Sequence, residues 1–110
     1  MPNYNNAIEK PTVVKNRYLK MSPGGIVSLP VAARKSLGMV KGQGTRVSVA
    51  VHDGVVTLAS VGEVGGFRVS ANGQLELRSE ARDALQTGTG RHYWIELFDD
   101  DKQVKLHPFI

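Results

Sequence analysis

The side chains in this sequence that could do chemistry are basic, and their placement is uneven. Lys15 and Arg17 stand two apart in an extended segment, Lys20 precedes a Gly-Gly turn, and Arg34-Lys35 sit on a short helical stretch, with Arg68 and Arg82 farther along. Of a formal net charge of +4 over 110 residues, the first 58 residues carry +6: Lys10, Lys15, Arg17, Lys20, Arg34, Lys35, Lys41 and Arg46 against Glu9 and Asp53. Residues 68–106 hold six basic and seven acidic side chains. A basic half is what a polyanion such as DNA would bind. Charge alone equally suits a solvated surface with a bias.

Other chemistry finds little support. Cysteine is absent, so there is no disulfide framework and no thiolate metal site, which fits a reducing cytoplasm. No Ser/His/Asp grouping stands out. His52, His92 and His107 fall in or near hairpins and read as single surface histidines. Asp99-Asp100-Asp101 are hard oxygen ligands, but no EF-hand spacing follows, and the run reads as a solvated turn. Gly42-x-Gly44 and Gly88-x-Gly90 lack the strand–loop–helix context of a phosphate loop. Tyr93 and Trp94 could stack on bases; neighbours on a strand face opposite ways, so one of them is assigned to the core. The expectation is a binding protein and not an enzyme, without cofactor or metal. No apolar run is long enough for a transmembrane helix or signal peptide.

The elements that must position the basic residues centre on 24–38. Gly24-Gly25 suit a tight turn, and Ile26, Val27 and Leu29 favour a buried strand. Pro30 ends the strand and starts a helix over 31–37, and Gly38 stops it. This stretch recurs. Residues 20–58 align with 68–106 without a gap and share ten identities in 39 positions, among them Ser22/Ser70, Gly25/Gly73, Leu29/Leu77, Arg34/Arg82 and Leu37/Leu85. Chance would give roughly two or three. The chain is an internal duplication, and units of about 40 residues are too small to fold apart, so the copies share one core.

Residues 1–11 read as a flexible arm. The first repeat spans 12–59: an extended segment over 12–21, the central stretch, a turn at 40–44, an alternating strand over 45–51, an Asp53-Gly54 hairpin and a returning strand over 55–59. Residues 60–66, with Gly62, Gly65 and Gly66, form a linker. The second repeat spans 67–110, with an Asn72-Gly73 turn, a strand over 74–77, a helix over 80–85 capped by Ser79, a long strand over 91–98, a hairpin tip at 99–102 and a last strand over 103–107. Strands dominate, and the fold predicted is a mainly β barrel with short helices.

With these elements placed, the repeats resemble the AbrB/MazE/SpoVT family of swapped-hairpin DNA-binding domains. The first carries the family pattern of Gly25, a strand to Leu29-Pro30, Arg34-Lys35-Ser36-Leu37-Gly38, Gly42 and Asp53-Gly54. The second departs where Pro30 becomes Arg78 and Gly38 becomes Gln86. The resemblance implies two interleaved hairpin units fused in one chain, a single-chain pseudo-dimer as in tandem members such as MraZ. It implies DNA contacts from Lys20 and Arg68 before the turns and from Arg34, Lys35 and Arg82 on the helices. Lys15, Arg17, Lys20 and Lys35 are the stronger phosphate candidates, because their local sequence supplies no carboxylate. Arg34 and Arg82 have an equal structural reading, an ion pair with a hairpin carboxylate such as Asp53 or Asp101. Ile26 and Gln74 stand where the family often has arginine.

The function expected is a cytoplasmic, nucleoid-associated transcriptional regulator that contacts double-stranded DNA through the first repeat. A homodimer of pseudo-dimers would extend its site. The alternatives are a MazE-type antitoxin with a toxin partner, or an interaction module that has lost DNA binding. The antitoxin ranks lower because the sequence as given stops at its last strand.

Overall fold

The computed structural model describes residues 12–62 and 65–110. The arm predicted over 1–11 and linker residues 63 and 64 lie outside them. The described residues are mainly β, in the order β1 (Thr12–Val14), β2 (Ile26–Ser28), α1 (Val31–Ser36), β3 (Thr45–His52), β4 (Val55–Gly62), β5 (Phe67–Val69), β6 (Gln74–Glu76), α2 (Ser79–Gln86), β7 (Tyr93–Phe98) and β8 (Gln103–Pro108). Six strands form one antiparallel sheet in the order β1-β7-β8-β4-β3-β5, and β2 pairs with β6 in a separate two-stranded sheet.

The expected barrel is not closed. Strands β1 and β5 are the two outer edges and do not pair with each other. Each is only three residues long, and after β5 the chain turns back at Gly73 (φ +85°) into β6. That consumes the segment that closure would need.

Both central pairings join the two repeats. In β2–β6 Val27 lies opposite Leu75, and in β4–β8 Thr57 lies opposite Lys105; each pair is separated by the repeat length of 48. Equivalent positions therefore meet across a local two-fold. The flanking bonds obey it too. Leu29 N–H donates to Gly73 O at 2.7 Å and Leu77 N–H to Gly25 O at 2.8 Å. Ser22 and Ser70 each accept, on Oγ, the N–H four residues on, both at 3.0 Å.

The core lies on this two-fold. Met21/Val69, Val27/Leu75, Leu29/Leu77, Ala33/Ala81, Leu37/Leu85, Val47/Ile95, Val56/Val104 and Leu58/Leu106 are buried as equivalent pairs. Strand β7 turns Tyr93, Ile95 and Leu97 inward at period two. Helix α2 buries Ala81, Ala84 and Leu85 at the i, i+3, i+4 spacing of a helical face.

Local structure departs from the sequence reading in four places. The strand expected over 12–21 ends at Val14, because Asn16 Oδ1 accepts the Tyr18 N–H at 2.7 Å and Asn16 O accepts the Leu19 N–H at 3.1 Å, which makes a turn. Ser79 opens α2 instead of capping it; Arg78 is the flanking residue and no side-chain cap bond forms. The long strand begins at Tyr93, since Thr89–Arg91 is a 3-10 turn tied to the first repeat by Arg91 Nε on Met21 O at 2.9 Å. Strand β4 runs through Ser60 to Gly62, into the expected linker, because β3 keeps pairing with it past a bulge between Arg46 and Val47. Both hairpin tips form where expected, at Asp53-Gly54 and at 99–102.

Candidate nucleic-acid interface

Helix α1 is set by its two ends. Pro30 flanks it with φ −66°, and it closes with Gly38 at φ +75°. The Gly38 N–H donates to Lys35 O at 2.9 Å and the Met39 N–H to Arg34 O at 3.0 Å, a Schellman closure. This orients Arg34 and Lys35 differently. Lys35 is exposed. Arg34 is half-buried, donates from Nε to Leu29 O at 3.0 Å, and lies against Gly73 of the other repeat. Arg82 likewise lies against Gly25 of the first repeat, but its bond differs, with Nη2 donating to Pro23 O at 2.8 Å. The hairpin carboxylates proposed as their partners are not engaged; among the described residues both arginines bond backbone carbonyls. Among the described residues Arg82 Nε is buried without a hydrogen-bond partner.

The other candidates fall at opposite edges of the sheet. Lys15 and Arg17 follow β1 and line a cavity of about 390 Å³ with Asn16, Thr89, His92 and Phe109. Lys20 pairs through its backbone with His92, one of the residues lining that cavity, in an isolated bridge. The structure thus gathers two of the seven predicted residues, Lys15 and Arg17, around one cavity. Arg17 lies 5.4 Å from the Tyr18 ring centroid and Lys15 Nζ 5.0 Å from that of Trp94, within cation–π range. Arg68 is on β5, at the far edge.

The aromatic residues sort as one inside and one out. Tyr93 is buried, its hydroxyl donates to Ser28 O at 3.2 Å, and burial pushes its pKa up to about 12. Trp94 is half-buried with His107 stacked on it, centroids 3.9 Å apart and planes 9° from parallel. His107 Nε2 is 2.5 Å from Glu96 Oε1, so this histidine is not the isolated surface group expected. One face of Trp94 is therefore closed to a base. Asp99 is not merely solvated either. It accepts a hydrogen bond from Ser36 Oγ, which also reaches Ala32 O at 3.1 Å. Among the described residues no group of three or more His, Cys, Asp or Glu could hold a metal ion, and no helix is long and apolar enough to cross a membrane.

No family model, curated protein or solved structure matches this chain.

The chemistry open to the exposed groups is charge-assisted hydrogen bonding to phosphate oxygens. Lys15, Arg17, Lys20, Lys35 and Arg68 are exposed, and the ion pairs among the described residues are Arg78–Glu76 and His107–Glu96. None of the five is neutralised by them. Sequence reasoning passed over Arg46, which counted only toward charge. It stands directly opposite Arg68 on the neighbouring strand. Strand register creates that proximity, and no local spacing announces it.

Proposed function

We propose that this chain binds duplex DNA through the basic surface of its first repeat and acts as a transcriptional regulator of the AbrB-like type. In this reading the two repeats form a single-chain swapped-hairpin pseudo-dimer. The architecture reading is supported by the pairing of equivalent residues in β2–β6 and β4–β8. The DNA reading rests on one observation: Lys15, Arg17, Lys20 and Lys35 are exposed and take part in none of the ion pairs among the described residues. Such cations lose little on meeting phosphate, because no carboxylate partner has to be given up.

The test is duplex affinity as a function of salt, for the wild type and for Lys20→Ala/Lys35→Ala. The log–log slope is expected to become shallower by about 0.9 for each phosphate contact removed. Absence of binding at low salt would overturn the reading. The protein-interaction module would then stand, favoured by the exposure of Ile26 (42%) and Val31 (57%).

A further inference from the structure

Arg46 and Arg68 are cross-strand partners on β3 and β5. Directly opposed residues in an antiparallel pair hold their Cβ atoms about 5 Å apart, and like charges in that relation destabilise the sheet. Both arginines line one cavity of about 480 Å³, shared with Met39, Gln43, Thr45 and Ser60. Among the described residues no carboxylate lines it. Arg46 is held in place, with Nη1 donating to Gly66 O at 3.2 Å and toward Gly65 O at 3.4 Å. Among the described residues Arg68 has no hydrogen-bond or ion-pair partner. The pocket thus offers one anchored guanidinium, one unengaged guanidinium, two hydroxyls and a carboxamide.

We propose that this cavity is a phosphate site, in which a phosphate group is held between Arg46 and Arg68 with Thr45, Ser60 and Gln43 supplying neutral hydrogen bonds. A bound dianion converts the like-charge opposition into two charge-assisted contacts, and the planar guanidinium matches phosphate oxygens in pairs. The phosphate can belong to a free phosphate or phosphomonoester, or to a nucleic-acid backbone. The site lies at the β5 edge of the sheet, opposite the β1 edge that Lys15 and Arg17 follow.

The probe is inorganic phosphate, titrated into the full chain at constant ionic strength and followed by amide and arginine Nε chemical shifts. Saturable shifts confined to Thr45, Arg46, Ser60, Arg68 and the 38–44 loop are expected. Arg46→Gln and Arg68→Gln should each weaken binding by about tenfold or more, as loss of one charged contact implies. Arg68→Lys, which keeps the charge but loses the fork, should fall between. Phosphate should raise the Tm of the wild type and leave that of Arg68→Gln unchanged, which also reports that the variant folds. Shifts that do not saturate, or that chloride reproduces, overturn the proposal. A second arm assigns the source: weaker duplex binding in Arg46→Gln identifies a backbone phosphate, and unchanged duplex binding identifies a free one. Because the probe is the free anion, the site can fail while DNA binding holds, or the reverse.

Discussion

Replacing Gly25 by alanine tests the interlocking of the repeats most directly. Gly25 has φ +91°, and a Cβ built there would lie 2.7 Å from Leu77 O and 3.2 Å from Arg82 Cδ. Two costs add. Holding an alanine in the left-handed region costs roughly 1–2 kcal/mol. Moving away from a backbone carbonyl at that distance also stretches the Leu77 N–H bond to Gly25 O, now 2.8 Å, at about 1 kcal/mol. Gly25→Ala should therefore destabilise by about 2–3 kcal/mol. Gly73→Ala should cost the same, since its Cβ would meet Leu29 O at 2.6 Å and Arg34 Nε at 2.9 Å. Gly42→Ala is the control: φ is +81° with nothing within 4 Å, so only the backbone cost remains. Urea unfolding with a shared m-value reads all three. If Gly25→Ala and Gly42→Ala cost the same, the close approach between repeats does not constrain this fold.

Further outcomes follow from the packing and from the exposed surface. Tyr93 ionises at its ordinary 10.0 in the unfolded chain and at about 12 when buried, so its contribution to stability is intact below pH 10 and is lost as pH rises through about 12. At about 1.4 kcal/mol per pKa unit this approaches ~3 kcal/mol, and urea melts between those pH values should decline less steeply in Tyr93→Phe. Ser36→Ala removes the hydroxyl that joins α1 to Asp99 and should cost about 1–2 kcal/mol in the same assay; no loss would show that Asp99 is equally well hydrated without it. Arg34→Met should lower stability by about 1.5 kcal/mol or more through loss of the bond to Leu29 O. Lys35→Ala should stay within about 0.5 kcal/mol of wild type while weakening duplex binding, a separation that thermal melts beside binding isotherms would reveal.

How far the sequence announced this structure depends on the kind of contact. The duplication was legible, because equivalent core positions must be filled with equivalent side chains: Leu29/Leu77 and Leu37/Leu85 are identical and all four are buried. The Asp53-Gly54 tip was legible because its backbone needs φ of +52° and +78°, which Asp-Gly tolerates. The acceptors of Arg34 and Arg82 were not legible. They are the carbonyls of Leu29 and Pro23, and a carbonyl is present at every residue, so no sequence pattern marks one. The early end of β1 was overlooked because Thr12, Val13 and Val14 favour a strand while Asn16, the residue that breaks it, acts through its side chain. Of the candidate site, exposure of the isolated lysines was readable from their neighbours. The meeting of Arg46 with Arg68 depends on a strand register set elsewhere in the sheet.

The pairing of Val27 with Leu75 and of Thr57 with Lys105 has a consequence for how such a chain can change over time. A solitary repeat would have to find these strands on another molecule, and its assembly would depend on concentration. Covalent fusion replaces that dependence with a fixed local concentration in the millimolar range, as short tethers provide. Fusion also releases the halves from identity: in a pair of separate identical chains every substitution occurs twice, once on each side of the axis. Here one half carries Lys35 where the other carries Asp83, so the two sides of one folding unit can drift toward different surfaces while continuing to share a single core.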